Sequence, residues 1–372
     1  MTEKLKQLMH ERAESVDFAT PDLDAMTRSG DRRVRRRRGL TVVGGIAAVA
    51  VLGGVAFSQL GGREGGDPVV VTTAPEAASL TWVTGSVLHT AEGEENDLGF
   101  TVRGYVRTSA GYVLSDREGT VWSWVDGSAT EVGRTDARHP HLVSDDESTL
   151  AGWVDGSAAQ PGFVVLDQDT GEVTRYDEQT SPGMGDLADE PDPAFFAAID
   201  DGSAYWRDQR GAVVVDLASG NATVIDAGAE NGFALGDMED GLIASTTDTG
   251  TTIRGVTGDQ IRELEGVYGS LGTFSQDARY YTSDADEPQV YDVANGERLT
   301  FDLGGRAFAA GYEWLDAHTI AMIAAEKPRD DSVAELLACE VPAGTCELVV
   351  ELGTFEEVAG TLALPTGTST GE

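Results

Sequence analysis

The sequence predicts an all-β protein, a seven-bladed β-propeller preceded by one transmembrane α-helix and a short helical tail. Three observations predict it. Near the N-terminus, six arginines run directly into an uncharged apolar stretch. Further on, a hairpin motif with an acidic residue four positions before a glycine returns four times. Weaker copies extend that motif into a series whose spacing suits a four-stranded repeat of about 40–45 residues.

The arginines are Arg32, Arg33, Arg35, Arg36, Arg37 and Arg38, and Leu40–Phe57 follow without a charge. Eighteen helical residues cover about 27 Å, close to the hydrocarbon thickness of a bilayer. Clustered arginine stays on the cytoplasmic side and is attracted to anionic lipid, so the N-terminus is expected inside and the rest of the chain outside. Residues 1–38 then form a basic cytoplasmic tail and 39–60 the membrane helix of a single-pass cell-membrane protein. The alternative is a cleaved export signal, because Arg37-Arg38-Gly-Leu40 resembles a twin-arginine motif and small residues flank Phe57. Against cleavage, the apolar run exceeds the 7–15 residues usual for a signal core.

Within the tail, Leu5, Leu8, Met9, Ala13 and Val16 fall at helical spacing and form one apolar face. Thr20-Pro21 marks a second helix start. Such a tail either lies on the membrane surface or docks a cytoplasmic partner.

Charge divides the chain at the same place. Residues 1–38 carry ten Lys and Arg against seven Asp and Glu, whereas the remainder carries a net charge of −41. So acidic a surface repels phosphate backbones, and nucleic acid is not expected as a partner.

Residues 61–79 are rich in Gly, Pro and Thr and read as a flexible linker. From 80 to 365 the pattern is short strands and turns, and 366–372 read as a disordered tail. The acid–glycine pairs are Asp167 with Gly171, Asp216 with Gly220, Asp292 with Gly296 and Glu340 with Gly344. A short hairpin loop places one residue in the left-handed region, where glycine costs least. An acid entering the turn accepts hydrogen bonds from free loop N–H groups. These four acids are therefore read as turn fixtures. Asp167-x-Asp169-x-Gly171 also lacks the full ligand set of a calcium loop.

Weaker copies at Gly93, Gly127 and Gly258 give glycine spacings of 34, 44, 49, 38, 38 and 48 residues. A second motif, an acidic turn followed by an apolar strand, occurs in Val143–Trp153, Phe274–Tyr281 and Trp314–Ala321. Each unit thus holds two hairpins. Seven units of about 41 residues fit the outer region better than six of about 48. The hairpin at Gly93 lacks strands before it and the segment 353–365 lacks a hairpin after it. Joining the two closes the ring and removes exposed sheet edges.

The stretch Phe274-Ser-Gln-Asp-Ala-Arg-Tyr-Tyr281 resembles the Ser-Pro-Asp-Gly-Arg-Tyr motif of TolB-like and WD-repeat-like propellers, with Gln276 and Ala278 departing from it. The whole layout resembles actinobacterial single-pass membrane proteins with an extracytoplasmic propeller. Some of these resemble partners of extracytoplasmic-function sigma factors, which implies a signalling role for the inner tail.

Cys339 and Cys346 flank the last hairpin. They form either a disulfide, worth about 2–3 kcal/mol for so short a loop, or two buried thiols. His139-Pro-His141 offers two imidazoles but no further zinc ligand, and is read as a loop pair. No Gly-x-Ser-x-Gly elbow and no Gly-x-x-x-x-Gly-Lys loop occurs. Neither a cofactor nor a metal is expected. The six tryptophans are expected mostly in blade packing, with one or two at a central pocket.

The reading is a membrane-anchored binding, sensing or scaffold module for an extracytoplasmic protein or small ligand, with a tail that signals to a cytoplasmic regulator such as a sigma factor. The alternative is a propeller hydrolase or lyase with its active site at the channel mouth. A purely structural envelope protein is the third reading.

Overall fold

The computed structural model describes residues 80–368 apart from 158–160, 186, 188–194, 227–233, 247–249, 266–271, 284–288 and 328. The basic tail, the arginine cluster, the apolar segment 40–57 and the linker 61–79 lie outside the described residues. Among those described, no helix is long and apolar enough to cross a membrane.

Seven antiparallel sheets succeed one another along the chain. The first blade pairs Val102–Arg107, Tyr112–Asp116, Thr120–Val125 and Ser128–Arg134 in that order, and five more blades repeat the meander. The first strands of successive blades contact one another and line the axis. The seventh blade is composite. Leu362–Ala363 pairs with Thr81–Thr84, which continues into Val87–Thr90 and Glu95–Asp97. The end of the chain therefore supplies the inner strand of a sheet whose outer three strands come from its beginning. Seven blades, not six, make the ring.

All seven glycines of the sequence series sit between the third and fourth strand positions of their blades. At the four strong copies the geometry is nearly constant. Gly171, Gly220, Gly296 and Gly344 have φ of +71°, +71°, +76° and +72°. Each donates its N–H to the carbonyl of the acid four residues earlier, at 2.7–2.8 Å. Asp167, Asp216 and Asp292 also accept a loop N–H on Oδ1, from Asp169 (3.0 Å), Ser219 (2.8 Å) and Ala294 (3.0 Å). Glu340, one methylene longer, takes the Thr345 hydroxyl on Oε2 instead (3.4 Å). Cys339 and Cys346 are register partners beside that turn and are bonded to each other.

In the fifth blade the outer strand is reduced to a bridge between Tyr291 and Arg298, with Leu299 N–H donating to the Val290 carbonyl (2.8 Å). Asp-Gly pairs at 201–202 and 240–241, both residues with positive φ, make two-residue turns between the first two strands of the third and fourth blades. These primed turns match the natural twist of a hairpin.

Two of the strong glycines give a paired prediction. A Cβ at Gly171 meets nothing within 4 Å, so Gly171→Ala costs only the left-handed backbone penalty, about 1–2 kcal/mol. A Cβ at Gly344 would overlap the Thr300 carbonyl oxygen, so Gly344→Ala must also displace backbone. Urea denaturation is expected to rank Gly344→Ala well below Gly171→Ala; equal midpoints would refute the ranking.

The core lies between blades. Phe163 of the second blade stacks on Trp206 of the third (4.4 Å between ring centroids), with Phe196 edge-on to both. Tyr280 of the fifth blade stacks on Trp314 of the sixth (6.0 Å). Trp82, Trp153, Trp206 and Trp314 are buried, whereas Trp122 and Trp124 are half-buried. A single helical turn, Phe355–Val358, leads to the closing strand. Thr354 caps it by accepting from Glu357 N–H, and Glu357 Oε2 accepts from Thr354 N–H.

Of the segment 366–372, residues 366–368 are described. Gly367 donates its N–H to the Tyr105 carbonyl (2.8 Å) and accepts from Leu142 N–H (3.0 Å). Residues 365–368 thus strap the inner strands of the first and second blades together, and 369–372 lie outside the described residues.

Candidate functional site

A propeller's inner strands all run the same way, so their ends gather at opposite mouths of the channel. Four of them here are bulged against the second strand of their blade. The register slips past Arg103, past Ala197, past Gly236-Asp237 and past Tyr312. A bulge releases a residue from cross-strand pairing and re-aims its side chain. Asp237 and Tyr312 both line two cavities, which share them together with Ser144, Thr273 and Pro365.

The two cavities differ in chemistry. One, of about 130 Å³, gathers the later residues of the inner strands and the acidic turns that follow them: Arg107, Asp145, Asp146, Glu239, Gln276, Glu313 and Trp314. The other, of about 140 Å³, is walled by Val106, Leu142, Phe195, Phe196 and Ala198, with His141 and the strap residues Thr366 and Thr368.

At the acidic end, Arg107 of the first blade reaches Glu313 of the sixth, with Nη2 to Oε1 at 3.0 Å, and lies 3.8 Å from Asp146 of the second. Gln276 of the fifth blade donates to Asp146 Oδ2 (3.0 Å). Four blades are thereby tied across the axis. Burial pushes the Glu313 carboxyl up to about 7 despite the pull of Arg107. Glu313 Oε2 is buried and has no hydrogen-bond partner among the described residues, and the same holds for the Tyr312 hydroxyl.

Asp237 is held differently. Its two carboxylate oxygens accept from Met238 N–H and Phe274 N–H, both at 2.8 Å, so it stitches the fourth blade to the fifth. Burial raises it to about 7 in spite of those donors, and the charges of Asp200 and Asp146 add to the rise.

Of the two histidines of His139-Pro-His141, His141 lines the apolar cavity, whereas His139 is buried and lines neither cavity. His141 Nε2 lies 2.7 Å from the Phe196 carbonyl oxygen, and its ring leans on Phe195 (4.5 Å). Burial lowers His141, and lowers His139 to about 4. Among the described residues no three His, Cys, Asp or Glu side chains converge as a metal site.

The residues singled out from sequence lie elsewhere. Asp167, Asp216, Asp292 and Glu340 occupy outer hairpins, as do Cys339 and Cys346, and the structure brings none of them to the channel. Sequence reasoning missed Arg107, Asp237, Tyr312 and Glu313. A partial signal was present: the acidic-turn motif contains Asp145 and Asp146 in one copy, Phe274 and Gln276 in another, and Trp314 in the third, and all five line the acidic cavity.

No family model matches the chain, and no curated protein matches it. Among solved structures it is similar to the computationally designed Ika8 protein, at 13% identity over 79% of this chain and 93% of the other, with a TM-score of 0.49. It is also similar to a TolB from Agrobacterium tumefaciens, at 14% identity over 74% and 89% (TM-score 0.39). A third similarity is to apo AztD from Citrobacter koseri, at 12% identity over 76% and 85% (TM-score 0.43).

Proposed function

We propose that this protein is a binding and sensing module rather than an enzyme: a propeller anchored in the cell membrane by residues 39–60, facing outward, that takes a ligand at the acidic mouth of its channel. The observation that carries the binding half is the bulged pair Asp237 and Tyr312, lining a cavity where Arg107 and Glu313 meet across the ring. Bulges of this kind concentrate at functional sites.

The anchoring half rests on sequence, the arginine cluster Arg32–Arg38 beside an uncharged run of membrane-spanning length. The tail, residues 1–38, would report to a cytoplasmic regulator such as a sigma factor. A hydrolase or lyase would use Glu313 and Asp237 as acid and base, and turnover of a substrate lost in Glu313→Gln would favour it.

Protease added to intact cells is expected to remove the propeller and leave the tail protected. A propeller that survives until the cells are broken overturns the anchored, outward arrangement. Capture on the full-length chain, compared with a chain lacking residues 1–31, is expected to recover the regulator only with the tail present.

A further inference from the structure

The acidic cavity is built for one charge type. Five carboxyl-bearing residues, Asp145, Asp146, Asp237, Glu239 and Glu313, line it against the single guanidinium of Arg107. That guanidinium is engaged on Glu313 Oε1 and faces Asp146. What is left over is a buried acceptor, Glu313 Oε2, and on the preceding residue a buried hydroxyl, Tyr312 Oη, neither with a hydrogen-bond partner among the described residues. The Glu313 side chain is 10% exposed and Tyr312 is 8% exposed. Leaving such groups unmatched costs about 1–3 kcal/mol each, a cost that a bound donor recovers.

A bare metal ion does not suit the place, because no three ligating side chains converge there among the described residues. An organic cation does. Three aromatic residues, Trp314, Phe274 and Tyr312, are among those that line the same cavity, and aromatic rings attract ammonium groups. The neighbouring cavity, lined by Val106, Leu142, Phe195 and Phe196, shares the Asp237–Tyr312 wall. Its volume of about 140 Å³ approaches the ~150 Å³ that accommodates a benzene ring.

We infer that the channel binds a small amphipathic amine, its ammonium donating to Glu313 Oε2 and Tyr312 Oη and its apolar body lying along the Phe195–Phe196 cavity. This rests on the binding-module reading and names the ligand class for it.

The test is calorimetric titration of the full-length chain in nanodiscs with 2-phenylethylammonium, against 2-phenylethanol as neutral isostere, phenylacetate as anion and calcium chloride. One-site binding of the ammonium is expected, with the alcohol at least about tenfold weaker, roughly the 1.4 kcal/mol scale of a charge-assisted hydrogen bond. Tyr312→Phe removes only an unpartnered hydroxyl and keeps the packing, so it is expected to fold like wild type and to bind several-fold more weakly. Glu313→Gln is expected to lose binding by about tenfold or more. The inference is overturned if the alcohol binds as well as the amine, if calcium competes the amine away, or if neither variant changes its affinity. Binding of phenylacetate or the alcohol that weakens in Tyr312→Phe would retire the amine and keep the binding module. No binding of any of the four overturns the amine as well, and a broader thermal-shift screen with no hit would retire the module.

Discussion

A chain ending after Thr361 is expected to lose cooperative unfolding. Leu362, Ala363 and Leu364 are buried at 5%, 1% and 2% exposure. Leu362 and Leu364 pack with Leu80 and Trp82 on the seam where the two ends of the chain meet. Full burial of two leucines is worth about 3–6 kcal/mol, against a typical domain stability of about 5–15 kcal/mol. The truncation also strips Thr81–Thr84 of its inner partner and leaves buried Val83 on an open edge. It removes the strap in addition, since Gly367 joins Tyr105 to Leu142. Open edges invite association. Equilibrium denaturation should show a broad transition or none, and light scattering should show aggregates. A truncated chain with the wild-type midpoint would mean that the closing strand contributes nothing to the ring. Gly367→Ala is the milder version. Its Cβ would overlap the Leu142 carbonyl oxygen at a residue with φ of +74°, which should detach the strap while leaving Leu362–Ala363 paired.

The outer hairpins were legible because their chemistry is local. A left-handed residue needs glycine, and the acid that opens the turn needs only to be four positions upstream. Both constraints act within one loop, so Asp167, Asp216 and Asp292 repeat the same contacts in three different blades. Ring closure was legible for a different reason. The strand count was short at both ends, and pairing the two deficits was the only way to leave no edge.

The site was not legible because bulges are not local. Whether Asp237 or Tyr312 pairs or points inward depends on where the neighbouring strand slips, at Leu235/Met238 and at Gly311/Glu313. Nothing in either strand's own alternation announces that slip. Arg107 and Glu313 are 206 residues apart in sequence and meet because they lie at or next to the ends of the first strands of two separate blades, Arg107 ending Val102–Arg107 and Glu313 next to last in Phe308–Trp314. In so acidic a chain, Asp237 and Glu313 are also hard to tell from surface carboxylates. Their burial, which distinguishes them, is a property of the closed ring.

That burial gives the second large effect, a pH dependence of stability that Glu313→Gln should abolish at one site. Glu313 is raised from its ordinary 4.5 to about 7 in the folded protein. Below about 4.5 the group is protonated whether the chain is folded or not, and it costs nothing. Between 4.5 and 7 the unfolded chain releases the proton and the folded chain keeps it, so stability falls as pH rises. Above 7 the loss is complete, at about 3 kcal/mol on a scale of about 1.4 kcal/mol per pH unit.

The charged and titrating groups that act on Glu313 are Arg107, which opposes the rise, and Asp146, which adds to it; the Tyr312 hydroxyl beside it is itself pushed well up. Asp237 contributes with the same sign. His139 and His141 act oppositely, because their lowered values make stability fall as pH drops below 6.5. These other groups remain in the variant and cancel in the difference between variant and wild type. Glutamine keeps an oxygen for Arg107 and has no proton to release. The stability of Glu313→Gln relative to wild type is therefore expected to rise by about 3 kcal/mol between pH 4.5 and pH 8, read from urea midpoints at constant ionic strength. Parallel profiles would mean that Glu313 ionises in the fold as it does in water, and a carboxyl hydrated to that extent could not be the buried, unmatched acceptor on which the amine site depends.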